Sequence, residues 1–347
     1  AVPEGKTPVV RFKIPLEGRT EFNDLIRGKV TFDNALMDDF VLLKSDGFPT
    51  YHLANIIDDH EMDISHVIRG EEWLSSAPRH LMLYQALDYE PPQYAHLPMI
   101  LGTDRSKLSK RHGAVSIIDY QTQGYLPEAL VNFLSLLGWS LDDKTDIMDI
   151  QTIIDNFSIE RISKTAAIFN VEKLDWMNGV YLRSLTHDDF ARRARPFLLE
   201  GVPESGNFKY DYVKKVLALL QERIKKLGEF RDHPELTRLF FNNSLVYQPV
   251  ALLGKKLTVP EVRIALEASL DCVNKLDEFN AESLEKDFRA LAEQLQLKPG
   301  HFFSCLRIAV TGQAVSPPLF ETMAVLGQDN VIQRLQEAVK KASELPQ

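Results

Sequence analysis

Up to about residue 125 the apolar positions alternate or come in short runs; beyond it they recur every three or four residues. Val9-Val10-Arg11-Phe12-Lys13-Ile14 and Gly28-Lys29-Val30-Thr31-Phe32 carry the two-residue period of half-buried strands. Val41-Leu42-Leu43-Lys44 predicts another strand, closed by the turn Ser45-Asp46-Gly47. A helix is expected after Pro49, over 51–60. Residues 64–69 predict a strand. Residues 76–87 predict a helix with Ser75 or Ser76 as N-cap and Pro78 in its first turn, and 94–101 the next strand. Strand, helix, strand at this length is a βαβ unit with parallel strands and a right-handed crossover.

From Leu126 the helical period takes over. Leu130, Phe133, Leu134 and Leu137 fall at i, i+3, i+4 and i+7 between Pro127 and Gly138. A short helix is expected over 117–123. Others are expected over 150–157, 159–164, 171–178, 186–199, 208–231, 234–242, 258–270, 280–296, 299–311, 317–326 and 328–343, with no strand among them. Ser316 ahead of Pro317-Pro318 is the expected cap of the last helix but one. Parallel sheets are normally covered on both faces and wider than two or three strands, so the sheet looks unfinished. The fold class expected is an α/β Rossmann-like half with an incomplete parallel sheet, followed by all-α helical bundles. The first residue is Ala, and the chain is expected to be N-terminally truncated.

Length and composition narrow the classes. A chain of 347 residues has room for two or three domains, and 44% hydrophobic with 26% charged residues excludes a disordered chain. Two cysteines, Cys272 and Cys305, cannot form a four-thiolate metal site and fit buried helix positions in a reducing cytoplasm. No apolar run approaches the ~18 residues of a membrane span. The net charge of −9 argues against a generally basic nucleic-acid binder. Local basic groups remain at 105–111, at Arg192-Arg193-x-Arg195 and at Arg223-x-Lys225-Lys226, and such groups can focus phosphate on one face.

The segment Arg105-Ser106-Lys107-Leu108-Ser109-Lys110-Arg111-His112-Gly113 sets four cations among hydroxyls and a glycine. It follows the apolar run Leu97–Leu101 and the turn Gly102-Thr103-Asp104, and ligands of open α/β sheets bind beyond the carboxyl ends of strands. Read alone it is a polyphosphate cradle or a solvated basic loop. Tyr51 and Asn55 share a helix face and could hold a small zwitterion, or simply pack. Asp58-Asp59-His60-x-x-Asp63 has acidic density, but adjacent helix residues point apart, so no metal is expected there. Arg69, Glu71, Glu72 and Trp73 end the first βαβ strand on the ligand side. Arg69 reads as a carboxylate clamp or an ion-pair partner, Glu72 as a hydroxyl acceptor, and Trp73 as a stacking or a core ring.

Longer runs carry a resemblance. Lys44-Ser-Asp-Gly-Phe-Pro-Thr-Tyr-His-Leu-Ala-Asn55, Asp58-Asp-His60, Val67-Ile-Arg-Gly-Glu-Glu-Trp73, Ala95-His-Leu-Pro98, Ser106-Lys-Leu-Ser-Lys-Arg111, Gly124-Tyr-Leu-Pro-Glu-Ala-Leu130, Leu174-Asp-Trp-Met-Asn178, Val310-Thr-Gly and Ser316-Pro-Pro-Leu-Phe-Glu321 occur in one order. In that order the chain resembles bacterial-type glutamyl-tRNA synthetases, class I aminoacyl-tRNA synthetases, over essentially its whole length. The resemblance implies ATP-dependent activation of glutamate and its transfer to the 3′ end of tRNA(Glu), with Mg²⁺ accompanying ATP. It implies no structural zinc, no membrane partner and a cytoplasmic monomer. It makes Lys107 and Lys110 the catalytic cations and adds Ser109, Arg111, Glu72, Trp73, Met99 and Ile100 around ATP. It gives Tyr51, Asn55 and Arg69 to glutamate.

The implied domains are the remainder of a β-rich insertion at 1–35, the second catalytic half at 36–139, a tRNA stem-contact domain at 140–190, and helical anticodon-binding domains at 191–255 and 256–347. The family's first ATP signature, His-x-Gly-His, is absent, so the chain alone is expected to lack adenylate formation. The alternatives are a non-catalytic tRNA-binding fragment and an enzyme that also charges glutamine tRNA. A glutaminyl-tRNA synthetase, with a β-barrel anticodon region, fits the helical pattern of 190–347 less well.

Overall fold

The computed structural model describes residues 7–109, 111, 116–202, 209–242, 244–254 and 256–346. Its elements run β1 (Val10–Phe12), β2 (Arg19–Asp24), β3 (Gly28–Asp33), β4 (Phe40–Leu43), α1 (Tyr51–Glu61), β5 (His66–Gly70), α2 (Ala77–Ala86), β6 (Gln93–Leu97) and β7 (Ile100–Leu101). They continue with α3 (Ile117–Gln123), α4 (Pro127–Ser135), α5 (Ile150–Asn156), β8 (Ala167–Ile168), α6 (Val171–Ser184), α7 (His187–Gly201), α8 (Tyr210–Leu220), α9 (Glu229–Asp232) and α10 (Glu235–Phe241). The last five are α11 (Val259–Asn274), α12 (Ala281–Gln294), α13 (Pro299–Thr311), α14 (Leu319–Leu326) and α15 (Gln328–Ser343). The chain forms two compact units, Ala1–Val115 with Glu128–Leu174, and Ser116–Pro127 with Asp175–Gln347.

The first unit is built on a four-stranded sheet of order β3-β2-β6-β5. β5, α2 and β6 are the expected βαβ unit: β5 and β6 pair in parallel, with Arg69 opposite His96. β2 and β3 form an antiparallel hairpin that meets β6 through Asp24 and Tyr94. Ile56 of α1 and Leu83 and Tyr84 of α2 make a buried cluster, against which Phe12, Phe40 and Leu42 pack. Trp139, Met148 and Ile153 form another.

Two local expectations change. Residues 94–101 are not one strand. Pro98 has no N–H for a ladder, so β6 ends at Leu97. Ile100-Leu101 pair instead with Ala167-Ile168, a short strand in a region whose pattern predicts helices only. A 3₁₀ turn, Glu71–Ser76, precedes α2, and Ser76 makes no side-chain cap.

The second unit is helical. Ser116 and Asp119 close a capping box at α3. Gly124 ends that helix at φ +81°, and a Cβ there would strike the backbone of Gly228, so glycine is required on two counts. Phe190, Leu198, Val216, Leu217 and Phe230 are fully buried between α7, α8 and α9. Phe288, Phe302 and Phe320 fill the core of α12 to α14.

The pattern over 208–231 predicts one long helix, but α8 stops at Leu220 and passes through a 3₁₀ turn, Gln221–Arg223. The Gln221 amide donates to the carbonyls of Leu182 and Leu185, which holds the chain in that turn. Ser316 does not cap α14. Its hydroxyl accepts from Arg307 Nη1 at 2.6 Å and donates to the Pro317 carbonyl, and the helix begins only after Pro318. No described helix is long and apolar enough to cross a membrane.

Candidate functional site

The hairpin turn after β2 starts the site. Asp24 Oδ1 accepts the backbone N–H groups of Ile26 and Arg27 at 3.0 and 2.8 Å, and Gly28 closes the turn at φ +78°. Its carboxylate also takes the backbone N–H of His96, at 3.1 Å to Oδ2, and lies 2.6 Å from His96 Nδ1. Both side chains are fully buried. Burial alone would raise the Asp24 pKa; the N–H of Arg27, the His96 ring and the N–H of Ile26 outweigh it and hold the acid below its ordinary value.

Arg69, at the carboxyl end of β5, lies beside this pair. Its Nε donates to His96 Nε2 at 3.1 Å, Nη1 meets His80 Nδ1 at 3.4 Å, and Nη2 donates to the Trp73 carbonyl at 3.3 Å. The guanidinium also covers the Tyr94 ring at 5.5 Å. Among the described residues no ion pair includes Arg69.

His80 Nε2 lies 3.0 Å from His52 Nδ1. Burial, then the charge of Arg69, pushes the His80 pKa down to about 3. Burial, then Arg79 and Arg69, lowers His52 as well. The cation is thus surrounded by neutral imidazoles.

Tyr51 and Trp73 complete the rim. Their rings are 4.9 Å apart and both are well exposed, Tyr51 at 48% and Trp73 at 39%. Asn55, one helical turn beyond Tyr51, donates to Asp59 at 3.2 Å. Burial raises the Asp59 pKa, against the Asn55 bond and the Arg69 charge. His60 stacks on Tyr89 at 3.6 Å instead of joining the neighbouring aspartates. Among the described residues no group of three His, Cys, Asp or Glu side chains is placed to hold a metal ion.

The turn Glu71–Ser76 ties the basic loop to this rim. Lys107 Nζ lies 3.4 Å from Glu72 Oε1, one residue before Trp73. The Glu72 pKa is lowered by its own backbone N–H first and by Lys107 after burial opposes. Glu71 faces the other way: it pairs with Arg27 at 2.5 Å and accepts the Met99 N–H at 3.1 Å.

The loop itself is a tight hairpin. Gly102 N–H donates to the Ser106 carbonyl at 2.8 Å, Arg105 N–H donates to the Gly102 carbonyl at 2.9 Å, and Arg105 takes φ +61°. Leu108 N–H donates to the Ile100 carbonyl at 3.0 Å. Arg111 donates to the Ser106 hydroxyl at 2.7 Å. Ser109 is described and engaged in contacts of its own. Lys110 lies outside the described residues.

Arg69, Tyr51, Trp73, Glu72 and Lys107 therefore join through one short turn. Asn55 sits at its margin, and the Met99 amide and Ile100 carbonyl are taken by Glu71 and Leu108. The sequence pattern did not single out Asp24, Arg27, His52, His80 or His96. Asp24 resembles an ordinary turn residue before Gly28, and only the parallel register, known from the fold, brings it to His96.

Known proteins resemble the chain over nearly its whole length. A family model described as the catalytic domain of class I tRNA synthetases (E and Q) matches residues 2–176, and one described as an anticodon binding domain matches 189–339. The glutamate–tRNA ligase of Dehalococcoides mccartyi is 58% identical over 340 residues, 97% of this chain and 70% of that protein. The glutamate–tRNA ligase of Moorella thermoacetica is 44% identical over 343 residues, 97% of this chain and 69% of that one. A crystal structure of a glutamate tRNA ligase from Elizabethkingia meningosepticum in complex with its amino acid aligns with a TM-score of 0.84 at 32% identity, over 96% of this chain and 68% of that one.

Proposed function

The chain belongs to the glutamate–tRNA ligases, with the class I catalytic and anticodon-binding regions of that family, and from this premise we propose how its side chains divide the work. Arg69 receives the side-chain carboxylate of glutamate. A guanidinium whose partners are all uncharged keeps its full charge for a ligand, and a neutral glutamine amide would leave that charge unpaired. Tyr51 and Asn55 border the same ligand. Lys107 and Lys110, with Ser109 and Arg111, receive the phosphates of ATP, near Glu72, Trp73 and the Met99-Ile100 backbone.

In the first step the α-carboxylate oxygen of glutamate attacks the α-phosphorus of ATP. The bond to the β-phosphate bridging oxygen breaks, and pyrophosphate leaves. Charge grows on the phosphate oxygens, where the lysines stabilise it. In the second step a hydroxyl of the terminal tRNA ribose attacks the mixed-anhydride carbonyl, loses its proton, and AMP departs. We assign Mg²⁺ to the nucleotide, where it screens the phosphates. Residues 191–347 would bind the anticodon by contacts to unstacked bases and phosphates, and the protein would act as a monomer in the cytoplasm.

The observation that carries this reading is the link Arg69–Trp73–Glu72–Lys107, which joins a carboxylate receiver to a phosphate cation within one turn. The test uses Lys107→Ala and Lys110→Ala in the full-length protein. ATP–pyrophosphate exchange should fall about a hundredfold or more with tRNA affinity within a factor of about two. Equal losses in exchange and tRNA binding would remove the catalytic role.

A further inference from the structure

Arginine has five N–H donors and no acceptor. Three of those on Arg69 are committed: Nε to His96, one on Nη1 to His80, one on Nη2 to Trp73. Each ring nitrogen facing the arginine must therefore present a lone pair. This assigns every proton in the cluster. His96 carries its proton on Nδ1, where Asp24 Oδ2 accepts it at 2.6 Å. His80 carries its proton on Nε2 and gives it to His52 Nδ1 at 3.0 Å, so His52 keeps its own on Nε2. The chain Asp24–His96–Arg69–His80–His52 has one consistent direction, outward from the arginine.

We propose that His96, locked by Asp24 as the Nδ1–H tautomer, is a positioning and specificity-determining residue: its lone pair fixes the Nε edge of Arg69 and turns the two uncommitted N–H groups, one on each Nη, toward the carboxylate of the amino acid. The inference rests on Arg69 being the glutamate receiver. Neutrality is the point of the device. A carboxylate in place of His96 would orient Arg69 equally well but would pair its charge and compete with the substrate. An imidazolium would repel it. A neutral acceptor orients without neutralising, so rejection of the neutral amide is preserved. Burial, assisted by the Arg69 charge, holds His96 below its ordinary pKa even against the pull of Asp24. Asp24 is fixed by the N–H groups of Ile26, Arg27 and His96, so the lock does not depend on a mobile side chain.

Asp24→Asn tests the tautomer with almost no change of shape. Oδ1 must remain an oxygen to accept the N–H groups of Ile26 and Arg27, and it can keep the His96 N–H at 3.3 Å, so the new amide NH₂ takes the place of Oδ2 and faces His96 Nδ1. The ring then takes the Nε2–H form, and two donors confront each other at Arg69. In the full-length protein, the KM for glutamate should rise about tenfold or more, with the KM for ATP within about twofold, and the preference for glutamate over glutamine should narrow. Nitrogen-15 NMR of the histidines should show His96 changing from the Nδ1–H to the Nε2–H tautomer. His96→Ala should raise the glutamate KM similarly. His96→Gln should recover most of it, since its amide can accept from Arg69 and donate to Asp24.

Arg69→Lys is the control for the underlying reading. If it leaves the glutamate KM unchanged, Arg69 is not the receiver. If it raises the KM while Asp24→Asn and His96→Ala do not, the positioning role fails and the receiver stands. Should Asp24→Asn fail to fold, the difference between His96→Ala and His96→Gln decides, and equal KM values for those two would overturn the proposal.

Discussion

The two units bury polarity in opposite ways. In the first, the buried or half-buried polar groups around the sheet end are ionisable side chains bonded to one another: Asp24, His96, Arg69, His80 and His52. In the second, buried polar side chains close onto backbone carbonyls. Ser269 donates to Ala265, Thr322 to Pro318, Gln221 to Leu182 and Leu185. The contrast is sharpest between two arginines without a carboxylate. Arg334 is 4% exposed, and its guanidinium goes to the carbonyls of Val310, Leu239 and Asn242. Arg69 is half-buried at the rim, held by neutral rings, with donors to spare. An arginine whose donors end on carbonyls is part of the architecture. One held by neutral acceptors, partly exposed and with two N–H groups left over, can still receive an anion.

Exchanging the two kinds of residue should break this contrast if it is wrong. The largest effect is expected at Arg334. Arg334→Met leaves two buried carbonyls and one half-buried carbonyl short of a donor and should lower the unfolding free energy by about 3–5 kcal/mol in urea titration, with the glutamate KM unchanged. A change in that KM would erase the distinction.

His80 comes next. Its unfolded pKa is near 6.5 and its folded value about 3, so between them the unfolded state binds more protons. Stability is then fully present above about pH 6.5 and falls as the pH drops, by about 1.4 kcal/mol per unit for this one group. Arg69, His52, Arg79 and His96 all press the same way. His80→Gln should flatten the acid limb of a stability–pH curve by that slope, and an unchanged limb would mean the imidazole is not buried neutral.

Ser269→Ala should cost at most about 1 kcal/mol, because the Ala265 carbonyl keeps its helical partner. Glu285→Gln removes an exposed i,i+4 pair with Arg289 and should change stability by about 0.5 kcal/mol or less, vanishing in high salt.

What the sequence disclosed follows from the range of the interactions. The βαβ unit, the helical second half and the rim residues Tyr51, Arg69, Glu72, Trp73 and Lys107 were legible, because period, turn residues and ordered runs are local signals. The expectation of one strand over 94–101 passed over Pro98, and the new partner at 167–168 left no signal, since a two-residue strand has no period. The break at Gln221 depends on carbonyls almost forty positions earlier. The Asp24–His96 pair joins residues whose separation of 72 no local pattern spans. Long-range register, which only the folded sheet supplies, carried the part of the site that orients the arginine.

The central claim is that Arg69 selects the acidic amino acid. The direct measurement is ATP–pyrophosphate exchange by the full-length protein and its Arg69→Gln variant, with glutamate and glutamine as competing substrates. The account predicts that kcat/KM for glutamate falls about a hundredfold while that for glutamine changes little, so the ratio collapses toward one. A variant that loses both substrates equally, or keeps the ratio, would contradict it.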